Sequence, residues 1–486
     1  MTGNGRFVQQ GAGTTILTGS NSYAGNTTIS AGVLQIGNNG TTGNLVAGNV
    51  INDAILRFSR SNSITASSLI QGGGSLEQVG AGTTILSANN TYTGATTVSA
   101  GVLQIGNGGT TGSLSTSSVI TNDGTLAFNR SDNIAQGTHF SGAAINGTGS
   151  LLKQGAGMLT LNTNNGYTGL TTISNGVVRI QDSSALGLGG FSGTTMSTIA
   201  SGSALEIDGS LSLTEHIQVQ GSGVGGTGAI RAISGSSSIN MHVALMADTT
   251  IGVDSGANLN IGGGGYGLYF NGGLTKEGNG TLVLSGDNTY VGNTTVSAGT
   301  LLINGSTSST SLVNVAIGAT LGGNGTAGAA TTVSGNLNPG NSAGLLTFDD
   351  SLKLLSTAVT TMEIDGNNRG TTYDAINIAT ELTYGGTLSL DLGVIFDLGT
   401  YTFDLFNLGS EGAVDSQFTA VSLAGLYSGS LTESIPGSGV WGRTSGINTW
   451  TFTESTGDLN LVVIPEPRAA LLGGFGLLLL LRRRRH

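Results

Sequence analysis

Few side chains in this sequence are spaced for chemistry. Gly340-Asn341-Ser342-Ala343-Gly344 has the form G-x-S-x-G, which exposes a nucleophilic serine when a strand precedes it and a helix follows. Here Pro339 precedes and LLTFDDSLKLL follows without helical caps, so the run reads as a plain turn. Gly221-Ser222-Gly223-Val224-Gly225-Gly226 fits G-x-G-x-x-G but stands in no βαβ setting, and so glycine-rich a chain meets that pattern by chance. Asp365 to Asp374 (DGNNRGTTYD) resembles a calcium loop, yet its twelfth position is Ile376 where an EF-hand needs Glu. No GGxGxDxUx run exists, which excludes the calcium-binding β-roll. His139, His216 and His242 show no H-E-x-x-H spacing and read as solvated or turn histidines. Glu206 with Asp208, and Glu363 with Asp365, share a strand parity. Carboxyl pairs about 5–9 Å apart can hydrolyse glycosides, but no basic or aromatic cluster accompanies these, and they read as ordinary exposed carboxylates. No catalytic, cofactor or metal-binding residue is expected.

The elements that hold these residues follow from composition and repetition. Of 486 residues 85 are glycine, 9% are charged, four are proline and none is cysteine. Without cysteine there is no disulfide framework, thiol enzyme, zinc finger or iron–sulfur site. Glycine lacks a three-residue period and proline is scarce, which excludes collagen. Hydrophobic residues reach 37%, enough for a core. The net charge is −11, and five of the 16 basic residues lie within 465–486. So acidic a body does not neutralise phosphates, and no nucleic-acid partner is expected. The cysteine-free, Gly/Thr/Ser/Asn-rich composition fits an exported bacterial protein.

Four segments align without gaps, at 11–37, 80–106, 155–181 and 278–304. Each has an Asn (Asn21, Asn90, Asn165, Asn288), then a Tyr two places on (Tyr23, Tyr92, Tyr167, Tyr290), then Gly, Thr-Thr and Gly. Linking stretches match too, NDAILRFSRSNSI (52–64) with NDGTLAFNRSDNI (122–134). Apolar residues such as Leu159 and Leu161 alternate with Thr and Ser between Gly/Asn turns, the pattern of short strands with one buried face. The offsets between the starts of successive copies are near three, three and five multiples of 23–25. A coil of that length holds three short strands and three turns. Residues 1–340 would then stack roughly 14 coils at about 4.8 Å each, a rod of about 65–70 Å. Tyrosines recurring about three coils apart would be about 14 Å from one another; they either form a sugar-contacting row or pack against turns.

The run G-x-G-T-L-x-L-x-G-x-N-T-Y-x-G-x-T-T-V-x-x-G-x-L-x-I, clearest at 278–303, resembles the autotransporter-associated β-strand repeat. That resemblance implies a right-handed parallel β-helix (β-solenoid) displayed on a bacterial surface and supplies no catalytic residues; residues 182–270 match it poorly. GNLNPGNSAGLLTFDDSLKLL (335–355) and YDAINIATELTYGGTLSLDL (373–392) resemble the segment that follows such repeats. Residues 341–463 are read as a β-rich cap, either further solenoid or a small sandwich.

Residues 464–486 form the third region. Pro465-Glu466-Pro467, thirteen apolar residues (Ala469–Leu481) and Arg482, Arg483, Arg484 and Arg485 follow in order. Thirteen helical residues span about 20 Å, short of a bilayer core of about 30 Å. The arginines are expected on the cytoplasmic side. This tail resembles the PEP-CTERM sorting signal, which implies transient inner-membrane anchoring through a short hydrophobic helix and cleavage by a transpeptidase-like exosortase. MTGNGRFVQQ has no apolar leader, and GRFVQQGAG (5–13) aligns with GSLEQVGAG (74–82), so an upstream leader and earlier coils are expected. The reading is a non-enzymatic surface or extracellular-matrix protein, a spacer or adhesin, with exopolysaccharide as a candidate partner and no cofactor. The alternatives are a polysaccharide-active β-helix lyase or glycoside hydrolase, and an autotransporter passenger.

Overall fold

The computed structural model describes all residues except 47, 190–195, 264, 410–412 and 466–486. The chain divides into two units, Met1–Gly280 and Thr281–His486. Both are parallel β-solenoids; among the described residues the only helix is the single 3₁₀ turn Val224–Gly226. The expected C-terminal hydrophobic helix lies outside the described residues.

In residues 1–280 three short strands make one lap. The alternation seen in the sequence becomes an inward apolar wall: Leu17, Ile29, Leu34 and Ile36 are buried, as are Leu159, Leu161, Val178 and Ile180. One column of strands climbs from Ile64–Ala66 through Thr83–Leu86, Val102–Ile105, Thr125–Phe128 and Ser150–Lys153 to Leu268–Tyr269, each paired in parallel with the next. Like side chains thus sit on like side chains, one rung apart.

The laps are not of the uniform length that the spacing of the copies suggests. Inside a copy they are shorter than expected, since Thr14 pairs with Val33, Thr83 with Val102 and Met158 with Val177. Linking laps are longer, as the pairs Leu103 with Leu126, Leu126 with Leu151 and Thr172 with Thr198 show. The column that starts at Thr14–Leu17 in the first copy contains Ser75–Gln78, the strand just before the second copy, and Gly166–Tyr167 of the third. The offset from one of these copies to the next is therefore three laps plus one strand. Each copy is turned by one face relative to the copy before it.

One glycine explains the short lap. Gly32, Gly101 and Gly176, at the same place in three copies, have φ of +67°, +64° and +73°. A Cβ on Gly101 would lie 2.3 Å from the Gly80 carbonyl oxygen and 2.4 Å from that of Gly82, in the turn one lap below. Only a residue with no side chain can both bend left-handed and nest against that backbone.

In the second unit Thr281–Leu284, Thr300–Ile303, Thr320–Gly323, Asn336–Pro339, Val359–Ile364, Thr387–Leu392 and Ala420–Gly425 form one parallel column. Two others run from Asp287–Asn288 to Phe406–Leu408 and from Thr294–Val296 to Ala413–Asp415. Laps are longer towards the C-terminal end: Thr281 is paired with Thr300, whereas Thr387 is paired with Ala420. The pairing then turns antiparallel, through Gly429–Glu433, Val440–Ser445, Asn448–Thr453 and Asp458–Val463 to Gly399–Asp404. The hairpin takes up the free edge of Ala420–Gly425 that a further parallel lap would need.

Candidate functional site

The repeat signature residues come together inside the wall. Asn90 Oδ1 accepts the Ile70 backbone N–H at 3.0 Å, and Asn90 Nδ2 donates to the Ser113 carbonyl at 3.2 Å. One side chain thus ties the lap below to the lap above. Asn165 repeats this with the Ile145 N–H and the Ala185 carbonyl, and Asn288 donates to the Ser306 carbonyl. Asn21 donates to the Asn44 carbonyl, and its Oδ1 takes the Met1 amino group. Tyr23, Tyr92 and Tyr167 share hydrogen bonds of 2.7 Å with Thr27, Thr96 and Thr171, and Tyr290 pairs likewise with Thr294. All four tyrosines are buried, and burial pushes their phenols up from 10.0. They pack against their turns on rotated faces and offer no ring to a sugar.

A further clamp was not singled out in the sequence. At the place occupied by Gln9 and Gln78, the third and fourth copies carry Lys153 and Lys276. The glutamine amides donate to Gly11 and Gly13, and to Gly80 and Gly82. The Lys153 ammonium donates to the Gly155 and Asn175 carbonyls, and that of Lys276 to Gly278 at 2.6 Å. Burial lowers both lysines to about 8.

The carboxyl pairs are tied up in different ways. Glu206 sits between Arg179 at 2.7 Å and Arg231 at 3.5 Å, and Arg231 reaches Asp254 at 2.8 Å. Asp208 accepts from Gln181 and Ser234, which hold its carboxyl below 3.8. In the second unit a cavity of about 290 Å³ is lined by Thr320, Asn338, Ser342, Thr361, Glu363 and Asp374, among others, none of them basic. Burial pushes Asp374 up to about 7, although its oxygens accept the Gly344 N–H at 2.7 Å and the Glu363 N–H at 2.8 Å. Burial, with Asp365 and Asp391 nearby, also raises Glu363. Ser342 sits in a turn between Asn336–Pro339 and Leu345–Phe348, so a strand stands where a nucleophile elbow requires a helix. Gly221–Gly226 likewise joins two strands. Among the described residues no group of three or more His, Asp or Glu converges as metal ligands.

Two histidines that look scattered in the sequence meet on one flank of the first unit. The Ser197 N–H bonds the His216 carbonyl, and the Ile217 N–H that of His242, which places the two one lap apart. Their rings stack at 5.7 Å; Tyr266 meets His242 edge-on at 4.8 Å, and Tyr269 lies 5.0 Å from His242. Phe270 continues the run at 6.0 Å from Tyr269. His139, by contrast, uses Nδ1 within its own turn, on the Ala135 N–H. The signal in the sequence was the separation of His216 from His242, which equals one long lap.

Of the tail residues, Pro465 is exposed where the described chain stops; Glu466, Pro467 and Arg482–Arg485 lie outside the described residues.

These features define a repetitive parallel β-solenoid whose signature residues serve the wall. The family model described as passenger-associated-transport-repeat matches residues 7–36, 76–105, 151–180 and 274–303, so four segments of the chain are similar to that repeat. The chain is 30% identical over 238 residues to the adhesin BmaC autotransporter of Brucella suis biovar 1 (strain 1330), covering 43% of this chain and 6% of that protein. It is 50% identical over 76 residues to an extracellular serine protease of Serratia marcescens, covering 15% of this chain and 7% of that protein. The chain thus spans less than a tenth of the length of either relative.

Proposed function

We propose that this protein is an exported, non-enzymatic surface or extracellular-matrix passenger that acts as a spacer or adhesin. The observation that carries the reading is the set of four passenger-associated transport repeats on a parallel solenoid. Likeness to an autotransporter adhesin supports it. Commitment of the repeat asparagines, tyrosines and Gln/Lys clamps to the wall fits a scaffold. The carboxyl groups of Glu206 and Asp374 are bound to arginines and to backbone amides, which argues against acid–base work.

The route we propose runs through the C-terminal segment. Pro465-Glu466-Pro467 is the recognition box of a membrane-embedded exosortase, the apolar run anchors the chain in the inner membrane before processing, and Arg482–Arg485 stay cytoplasmic. The sorted body then joins the envelope or a matrix containing exopolysaccharide.

Labelling of intact cells with antibody to residues 1–464 tests this. Surface label is expected for the natural chain, and its loss when the four arginines are replaced by alanine. Label confined to the cell interior in both would overturn the reading. A reducing-end assay on polysaccharides tests the enzyme alternative, which turnover would favour.

A further inference from the structure

The aromatic flank of residues 196–270 sits beside a shallow groove of about 180 Å³, lined by Thr198, Gln218, Gln220 and Met246. Register places Thr198, Gln218, Ala244 and Tyr269 on successive rungs of one outward row. Ala244, between the Gln218 amide and the Tyr269 ring, is itself buried, and the Tyr269 hydroxyl reaches Met196 Sδ at 3.5 Å.

Two further observations point to a ligand. Phe270 is 44% exposed, and its φ is +89°. A bulky residue held left-handed and also left in water is unfavourable on both counts, and such strain is retained where a site uses it. His216 is only 5% exposed, yet its Nδ1 has no hydrogen-bond partner, and the same is true of the Nδ1 of His242.

The chemistry of the lining selects the ligand. It offers ring faces and edges, a thioether, two amides and a hydroxyl, and no ionised group. Burial and the neighbouring His242 hold His216 below 6.5. Glu215 turns to Ser197 Oγ at 3.2 Å, and burial pushes its carboxyl up to about 8. A lining without charge, in a molecule of net charge −11, repels polyanions and favours a neutral chain. Flat rings beside amide and hydroxyl groups suit sugar rings, whose C–H faces stack while their hydroxyls hydrogen-bond. Rungs about 4.8 Å apart are close to the length of one pyranose unit.

We infer that the flank formed by His216, His242, Tyr266, Tyr269 and Phe270, with the Gln218–Met246 groove beside it, binds an uncharged oligosaccharide running across the coils. This deepens the surface reading by naming what the surface would hold. Cell labelling tests where the chain is found and purified protein tests what it binds, so either reading can fail alone.

The experiment is calorimetry of the purified full chain with cellohexaose, xylohexaose, laminarihexaose and mannohexaose, and with hexagalacturonate as the charged comparator. At least one neutral hexasaccharide should bind, and bind at least tenfold tighter than hexagalacturonate. Phe270→Gly should weaken that binding at least tenfold while leaving the melting temperature unchanged or higher, because glycine accepts φ of +89° without strain. Tyr401→Ala, on a ring in the second unit, should bind as the natural chain does. The inference is overturned if none of the four neutral probes binds, if hexagalacturonate binds as tightly, or if Phe270→Gly keeps its affinity.

Discussion

The coils of residues 76–105 and 151–180 bury their signature side chains; those of 196–270 bury Glu215 and His216 but leave Tyr266 and Tyr269 half-buried and Phe270 exposed. Both regions use three strands per lap and an apolar interior. In the repeat copies Asn90, Asn165, Tyr92 and Tyr167 are spent on the backbone of neighbouring laps and on their own turns. In the poorly matching coils the same wall carries an ion-pair ladder, a buried acid and a run of rings. Strict repetition maintains the lap, while departure from the repeat is where side chains become available for recognition.

The sharpest way to break this contrast is pH, because a buried group of opposite kind sits in each region. Glu215 is pushed up to about 8, so between about 4.5 and 8 the folded chain keeps a proton that the unfolded chain has released. Stability therefore falls as pH rises through that window, by up to about 1.4 kcal/mol per unit. Lys153, in a repeat copy, is lowered to about 8, so from there to about 10.5 the folded chain has released a proton that the unfolded chain retains. Its contribution makes stability rise with pH in that higher window. Urea midpoints of the natural chain and of Glu215→Gln, taken at pH 5, 6.5 and 8, should diverge steadily, with the variant flatter. Parallel slopes would show that Glu215 is ionised in the folded protein.

Next in size is the asparagine tie. Asn90→Ala strands the Ile70 N–H and removes the tie to the Ser113 carbonyl. The Ser113 carbonyl keeps the Asn90 backbone N–H, so one buried donor is left unpaired, and the loss should be about 1–3 kcal/mol. Asn240 in the divergent coils binds only the Ser212 hydroxyl through its side chain, and Asn240→Ala should cost under about 0.5 kcal/mol. Equal losses in chemical denaturation would mean that the repeat asparagine does not tie laps together.

Glycine gives a second test of the same kind. Gly101 and Gly202 both have positive φ, but a Cβ on Gly202 would meet nothing within 4 Å. Gly202→Ala should cost about 1–3 kcal/mol from its backbone alone. Gly101→Ala adds a collision with the backbone of the lap below and should melt lower.

How far these features could be read beforehand follows from what a linear sequence records. The inward leucines, the strand alternation and the Asn–Tyr signature were legible because each depends on residues a few places apart. The turn of one face per copy was not, because the offset between copies divides as readily into three equal laps as into three shorter laps and a strand. The histidine contact depends on a local lap longer than those inside the copies, and the repeats themselves give no hint of that length. Arg179, Glu206, Arg231 and Asp254 form their ladder for the same reason: the first three lie in register on successive laps, Asp254 lies two places past Gly252, the partner of Arg231, and they look unrelated until the laps are stacked.

That ladder yields the smallest effect and the finest discrimination. Charges of one sign on successive rungs would repel, and alternation of sign is what allows four ionised groups to share one face. Arg231 is about a quarter exposed and serves both Glu206 and Asp254. Such partly exposed pairs contribute little, so Arg231→Met should cost about 0.5–1 kcal/mol at low salt and less as salt screens the ladder. Arg231→Glu should cost more than Arg231→Met, since it places a third carboxylate between two others, and salt should recover part of that loss. If the two variants unfold alike at every salt concentration, the ladder is a consequence of stacking and not a contributor to it, and the divergent coils would owe their stability to the apolar interior alone.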